Sequence, residues 1–227
     1  MLNRALLLLG DQHRQFDCAL DALAILAAQM LSHAQAGTAT LGASGDASGA
    51  ERIALLAGII EYLVDFTQHS HMPREDACLF AHIRRRSHEA DALITELMRQ
   101  HGDIAAKVDV LQHALTLLAA PNAATAAQQH PSPQRAQDFA FAAADLQHSC
   151  RIHMALEEDK LTPLALQCLD TCDWFAIAEA FDAPPEDEDA ASARRRRQQI
   201  FPRIINLAAP TTMASTSEQE KAQGKRT

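Results

Sequence analysis

The chain has 227 residues, enough for one good-sized domain with tails. Its formal net charge of −9 and isoelectric point near 5.6 argue against nucleic acid as the main partner. Hydrophobic residues reach 48% but aromatics only 4%, and the abundance of alanine and leucine favours packed helices over sheets.

The opening MLNRALLLLG is too short to span a bilayer and lacks a small-residue cleavage site. It reads as the apolar lead-in to a first helix over about Leu6 to His33, with Phe16, Leu20, Leu23, Ala27 and Met30 on one stripe. A linker of Gly, Ala, Ser and Thr follows (Ala34–Ala50). The second helix begins near Glu51. Its stripe runs Ile53, Leu56, Ile60, Val64, Thr67, His71, Glu75, Leu79 and His82, and Pro73 inside it predicts a kink.

The third helix covers roughly Glu89 to Ala119, with Leu93, Leu97, His101, Ile104, Val108, Leu111, Leu115 and Leu118 in steps of three and four. Pro121, Pro131 and Pro133 mark the next loop. The fourth helix runs from about Gln134 to Leu169, with Phe139, Ala143, Leu146, Cys150, His153, Glu157, Leu161, Leu164 and Cys168 on one face and a bend expected at Pro163.

A short fifth helix, Asp173 to Phe181, is expected to cap the bundle with Trp174 and Phe175. Beyond Pro184 and Pro185 an acidic run (Glu186–Asp189) precedes a basic one (Arg194–Arg197), in a polar segment that reads as disordered. The expected architecture is all-α: an up-and-down antiparallel four-helix bundle over residues 1–183 and a charged tail over 184–227. No segment is long and apolar enough to be transmembrane. Five scattered cysteines (Cys18, Cys78, Cys150, Cys168, Cys172) with no C-x-x-C pair suggest reduced thiols and a cytoplasmic location.

The chemistry lies in a histidine followed four residues later by a glutamate, which occurs twice: His71 with Glu75, and His153 with Glu157. Residues four apart share a helix face, so each pair can present an imidazole and a carboxylate to one point. His13 and His101 stand on the apolar stripes of the other two long helices. One such histidine would ordinarily be a hydrogen-bonded core residue. Four of them with two buried carboxylates carry a large desolvation cost that cations remove together; a polar core network is the alternative. Imidazole with carboxylate suits Fe, Zn or Mn, and this number of donors suits two octahedral-leaning ions better than one tetrahedral zinc. Asp76, Asp159 and Tyr62 are candidates for orienting the histidines. His69 and His148 are read as surface or supporting residues, and His82, His88, His113 and His130 as solvated.

At these residues the chain resembles the hemerythrin-like (HHE cation-binding) family. GDQHRQFDCALDAL is similar to its first-helix motif, EYLVDFTQHSHMPREDACLF to its second, and ITELMRQH to its third. RIHMALEEDKLTP, followed by DWFAIAEAF, is similar to its fourth helix and trailing helix. The likeness covers about residues 10–182. It implies two iron ions, joined by an oxo or hydroxo bridge, with manganese possible in their place. The implied ligands are His13, His71, Glu75, His101, His153 and Glu157, with Glu75 and Glu157 bridging and Glu158 as the alternative to Glu157. Met72 replaces the second histidine of the family's usual pair. Leu97 stands where oxygen carriers have a further histidine, which leaves one iron with fewer protein ligands than in those carriers. The implied partner is a small diatomic ligand or peroxide. Oxygen binding or sensing, iron handling, turnover of peroxide or nitric oxide, and a metal-responsive interaction module are the functions in view.

Overall fold

Apolar residues at steps of three and four give each long segment one buried stripe, and pairing four such stripes makes the core. The structure, a computed structural model, describes residues 2–36, 49–120, 132–183 and the three positions 202, 203 and 206. The described elements are helical: α1 (Leu2–Ala36), α2 (Gly49–Val64), α3 (His71–Arg74), α4 (Phe80–Arg86), α5 (Asp91–Ala119), α6 (Pro133–Leu156), α7 (Thr162–Cys168) and α8 (Thr171–Asp182). Three π-helical turns join some of them: Asp65–His69, Glu75–Leu79 and Glu157–Leu161. Most of the expected linker, Pro121, Pro131, His130 and nearly all of the charged tail fall outside the described residues.

α1 packs against α2 and α6, and α5 packs against the same two, so α1 and α5 stand at opposite corners of an all-α, up-and-down four-helix bundle. The second corner is α2 to α4, interrupted by two π turns, and the fourth is α6 to α7, interrupted by one. α8 lies across one end, against α1 and the Glu75–Leu79 turn. Ser132 caps α6 by accepting a hydrogen bond from Arg135 N, and Pro133 opens that helix where its missing N–H costs nothing. At α8, Asp170 Oδ1 accepts from the Cys172 and Asp173 amides while Asp173 Oδ2 accepts from Asp170 N, a reciprocal capping box.

The core has two apolar clusters. One contains Phe16 to Met30 of α1, Leu55 to Met72, Ile104 to Leu118, and Ala136 to Met154. The other contains Ala5, Leu79, Phe80, Ile83, Ile94, Leu97, Leu161 and Trp174. On α1 the break between the clusters falls at His13, on α5 at His101, and on the other two corners at Glu75 and Glu157. A polar layer thus divides the bundle.

Two sequence expectations are corrected here. Trp174 is buried at the end of the bundle, but Phe175 is 46% exposed, because the inward face of α8 is Trp174, Ile177, Ala178 and Phe181. His82, Leu164 and Cys168 are not the buried members of their stripes; Ile83, Ala165 and Leu169 are. A π turn closes with an i→i+5 bond and so uses one residue more than an α turn, which moves every later position on that helix by one. Phe80 N donates to Glu75 O, and Thr162 N donates to Glu157 O, each five residues on. The expected disturbance at Pro73 is present. The helix breaks at Ser70, which leaves helical geometry (φ −126°, ψ −79°), and Pro73 has no N–H to offer the His69 carbonyl. Pro163 likewise cannot bond Asp159 O, beside the turn that starts at Glu157.

Candidate metal centre

Each corner delivers its polar residues into the dividing layer at one level. α1 brings His13, α3 brings His71, α5 brings His101 and α6 brings His153. Glu75 and Glu157 are the first residues of their π turns. All six are buried, Glu75 to 1% exposure and Glu157 to 3%.

The donor atoms form two groups. On one side His13 Nε2 and His71 Nε2 face each other at 3.1 Å; His71 Nε2 lies 3.0 Å from Glu75 Oε1, and His13 Nε2 lies 3.4 Å from Glu157 Oε2. On the other side His101 Nε2 and His153 Nε2 face each other at 3.1 Å, with Glu75 Oε2 3.4 Å from His101 Nε2 and Glu157 Oε1 3.4 Å from His153 Nε2. Each carboxylate therefore turns one oxygen to each side. Donors at right angles around an ion, bound at about 2.1 Å, stand about 3.0 Å apart, close to these separations. One further pair is wider, His13 Nε2 to Glu75 Oε1 at 3.9 Å. Ligand atoms of Glu75, His101, His153 and Glu157 lie within 4.8 Å of one another, as do those of His13, His71 and Glu75.

The opposite ring nitrogens explain this orientation. His71 Nδ1 donates to Gln12 Oε1 at 2.6 Å, and His153 Nδ1 donates to Gln100 Oε1 at 3.1 Å. His101 Nδ1 donates to Asp76 Oδ1 at 3.0 Å, and His13 Nδ1 lies 3.5 Å from Glu158 Oε1. With a proton held outward on Nδ1, a neutral imidazole points its Nε2 lone pair inward. The centre is then lined by acceptors. Glu75 Oε2 and both oxygens of Glu157 are buried and accept no hydrogen bond. Orphaned buried carboxylate oxygens are costly, and a converging set of lone pairs without donors is the environment a cation satisfies. The residues present fit a two-ion centre.

Without a metal, protons take up part of that role. Burial opposes charge on His13, but Glu75, Glu157 and Glu158 outweigh it and hold its pKa up to about 9. Burial also opposes charge on His101, and Asp76 with Glu75 holds it up to about 9. Burial pushes Glu75 upward, yet His71, His101 and His13 hold its carboxyl well below the usual range.

Aromatic rings fix the imidazoles from the side. Phe66 stacks on His71 (centroids 4.2 Å apart, 17° between planes) and Phe80 on His101 (5.6 Å, 17°). Phe181 of α8 meets His71 edge-on at 5.5 Å, and Arg74 donates to the carbonyls of Phe181 and Ala183 at the end of that helix. α8 is thereby pinned beside the centre.

All six residues singled out in the sequence meet here. Glu158 stands outside, its side chain 64% exposed behind His13. Asp76 backs His101 as anticipated, whereas Asp159 is exposed and Tyr62 packs with Phe16 and Phe66. His69, His88, His113 and His148 are exposed, and His82 Nδ1 bonds the Cys78 carbonyl at 2.8 Å. Sequence reasoning passed over Gln12 and Gln100. The available signal was that each directly precedes a candidate histidine.

Compared with known proteins, residues 6–165 match the family model described as the hemerythrin HHE cation-binding domain. No curated protein matches the chain.

Proposed function

The chain belongs to the hemerythrin HHE cation-binding domain family, and on that premise we propose that it holds two iron ions and through them binds or senses O2 or a related small molecule, nitric oxide or peroxide. The observation that carries this reading is the convergence in a buried layer of four Nε2 atoms and four carboxylate oxygens, three of those oxygens without a hydrogen-bond donor. His13 and His71 would serve one ion and His101 and His153 the other, with Glu75 and Glu157 spanning both. Manganese suits the same donors.

Bound iron supplies a redox-active Lewis acid. The chain's residues do the rest. Gln12, Asp76 and Gln100 accept from the outward ring nitrogens of His71, His101 and His153, and Glu158 stands 3.5 Å from that of His13. Phe16, Leu97, Leu146 and Cys150, all fully buried, exclude water from the layer. Two imidazoles and two carboxylate oxygens would offer each ion four protein donors, fewer than the six an octahedral ion takes, which would leave room for a small ligand. That openness also favours a second reading, turnover of peroxide or nitric oxide at the same centre. A steady-state assay with either substrate separates the two, since turnover no faster than that of a ligand knockout removes the second.

The test of the main reading is iron content after anaerobic purification. The wild-type chain is expected to hold about two irons, and the paired substitution His71→Ala, Glu75→Ala is expected to abolish loading. Full iron content in that variant would sink the assignment. No described helix is long and apolar enough to cross a membrane.

A further inference from the structure

The two halves of the centre repeat each other in sequence and in space. Gln12-His13 on α1 corresponds to Gln100-His101 on α5. His71-Met72 precedes Glu75 by the same interval as His153-Met154 precedes Glu157, and a π turn begins on each glutamate. Within each half, the glutamine crosses to the histidine of the neighbouring helix: Gln12 to His71, Gln100 to His153. The acid after each glutamate crosses between halves: Asp76 to His101, Glu158 to His13. Every imidazole has one outward acceptor, and each half has one amide and one carboxylate in that role.

From this repetition we propose that Gln12 and Gln100 are positioning residues, one for each metal position. Each fixes the rotation and tautomer of a single histidine, His71 or His153, in the two-iron centre on which this inference rests. An amide carbonyl accepts the Nδ1 proton without adding charge to a layer that already holds two buried carboxylates. A carboxylate in the same place makes the ring more basic. Each ion thus receives one imidazole of each kind. The effect of each glutamine is local, because its amide reaches one ring and that ring faces one position.

The test uses the full chain loaded with iron-57, with Gln12→Leu, Gln100→Leu and the acceptor-retaining Gln12→Glu and Gln100→Glu. Each leucine variant is expected to weaken one iron by about tenfold or more and to shift half of the Mössbauer area, leaving the other half as in the wild type. Both glutamate variants are expected to keep both irons. A purely structural role would disturb the whole spectrum, so equal perturbation of both halves by either leucine variant, or an unchanged spectrum in both, overturns the proposal. A wild type that takes fewer than two irons defeats the two-iron reading instead. The positioning role is then read on the metal-free chain by nitrogen NMR of labelled histidine. Gln12→Leu is expected to move the Nδ1 resonance of His71 alone, and Gln100→Leu that of His153 alone. Resonances that stay in place overturn it.

Discussion

Removing the metal should make the stability of this bundle fall with rising pH. In the metal-free chain each facing Nε2 pair, 3.1 Å apart, has a proton to share only while one ring is charged. His13 and His101 are held protonated up to about 9, against 6.5 for an unperturbed histidine. A folded-state pKa raised above the unfolded one contributes stability that is complete below pH 6.5 and lost as the pH passes through about 9. At about 1.4 kcal/mol per pH unit, the loss is about 3 kcal/mol from each histidine. Glu75 stays ionised throughout that window, since its pKa lies well below it, and adds no slope. Metal binding reverses the dependence, because an ion needs deprotonated imidazoles; uptake at pH 7.5 should release about two protons per chain, one from each facing pair. Denaturant unfolding of chelated and loaded protein at pH 6, 7.5 and 9.5 measures the first effect, and calorimetry in buffers of different ionisation enthalpy measures the second. Metal-free stability that is flat or rising from pH 6 to 9.5 would refute the proton-shared pairs.

Three further outcomes test the geometry. Glu157→Gln should remove a carboxylate proposed to span both metal positions and with it most of the metal content, whereas Glu158→Gln should keep the metal with affinity reduced by about tenfold; the reverse order, read by metal analysis, would make Glu158 the ligand. Asp170→Ala should destabilise the chain by about 1 kcal/mol by removing the α8 cap, measured as a lower denaturation midpoint with iron content unchanged. Burial pushes the Cys150 thiol up to about 12 while Cys172 is exposed. A disulfide-exchange reagent at pH 8 should therefore label Cys172 in the folded chain and Cys150 only after unfolding, as mass spectrometry of the labelled peptides would show.

The long helices and the meeting of six polar residues were legible because both depend on the 3.6-residue period, which apolar stripes display directly. His13, His71, His101 and His153 sat on those stripes, and burial of the stripes brought them to one layer. The π turns were not legible. Nothing in the residue types of Glu75–Leu79 or Glu157–Leu161 distinguishes a five-residue turn from an α turn, so an unbroken period placed His82 and Cys168 where Ile83 and Leu169 stand. Phe175 was misplaced for a related reason: in a twelve-residue helix two adjacent aromatics leave the phase open, and packing chose Trp174. The roles of Gln12 and Gln100 depend on a neighbouring helix, a relation that spacing along one helix does not contain. Glu157 and Glu158 could be separated only once the helix phase was known.

The two π turns that begin on glutamates also bear on what the gene can tolerate. Each is a place where the chain carries one residue beyond what an α-helix requires, and each begins on a carboxylate that faces the centre. Deleting Cys78 would let the first turn close as α-helix with Leu79 to Arg86 still in their present phase relative to Glu75, because the lost residue is the one the wider turn absorbs. Phe80 and Ile83 would stay in the core, and His71 and Glu75 would keep their places. A codon lost between His71 and Glu75 would instead separate the imidazole from the carboxylate and take one of the two from the polar layer. Lengths upstream of the glutamates are therefore held by chemistry, whereas each turn just downstream has one residue to spare.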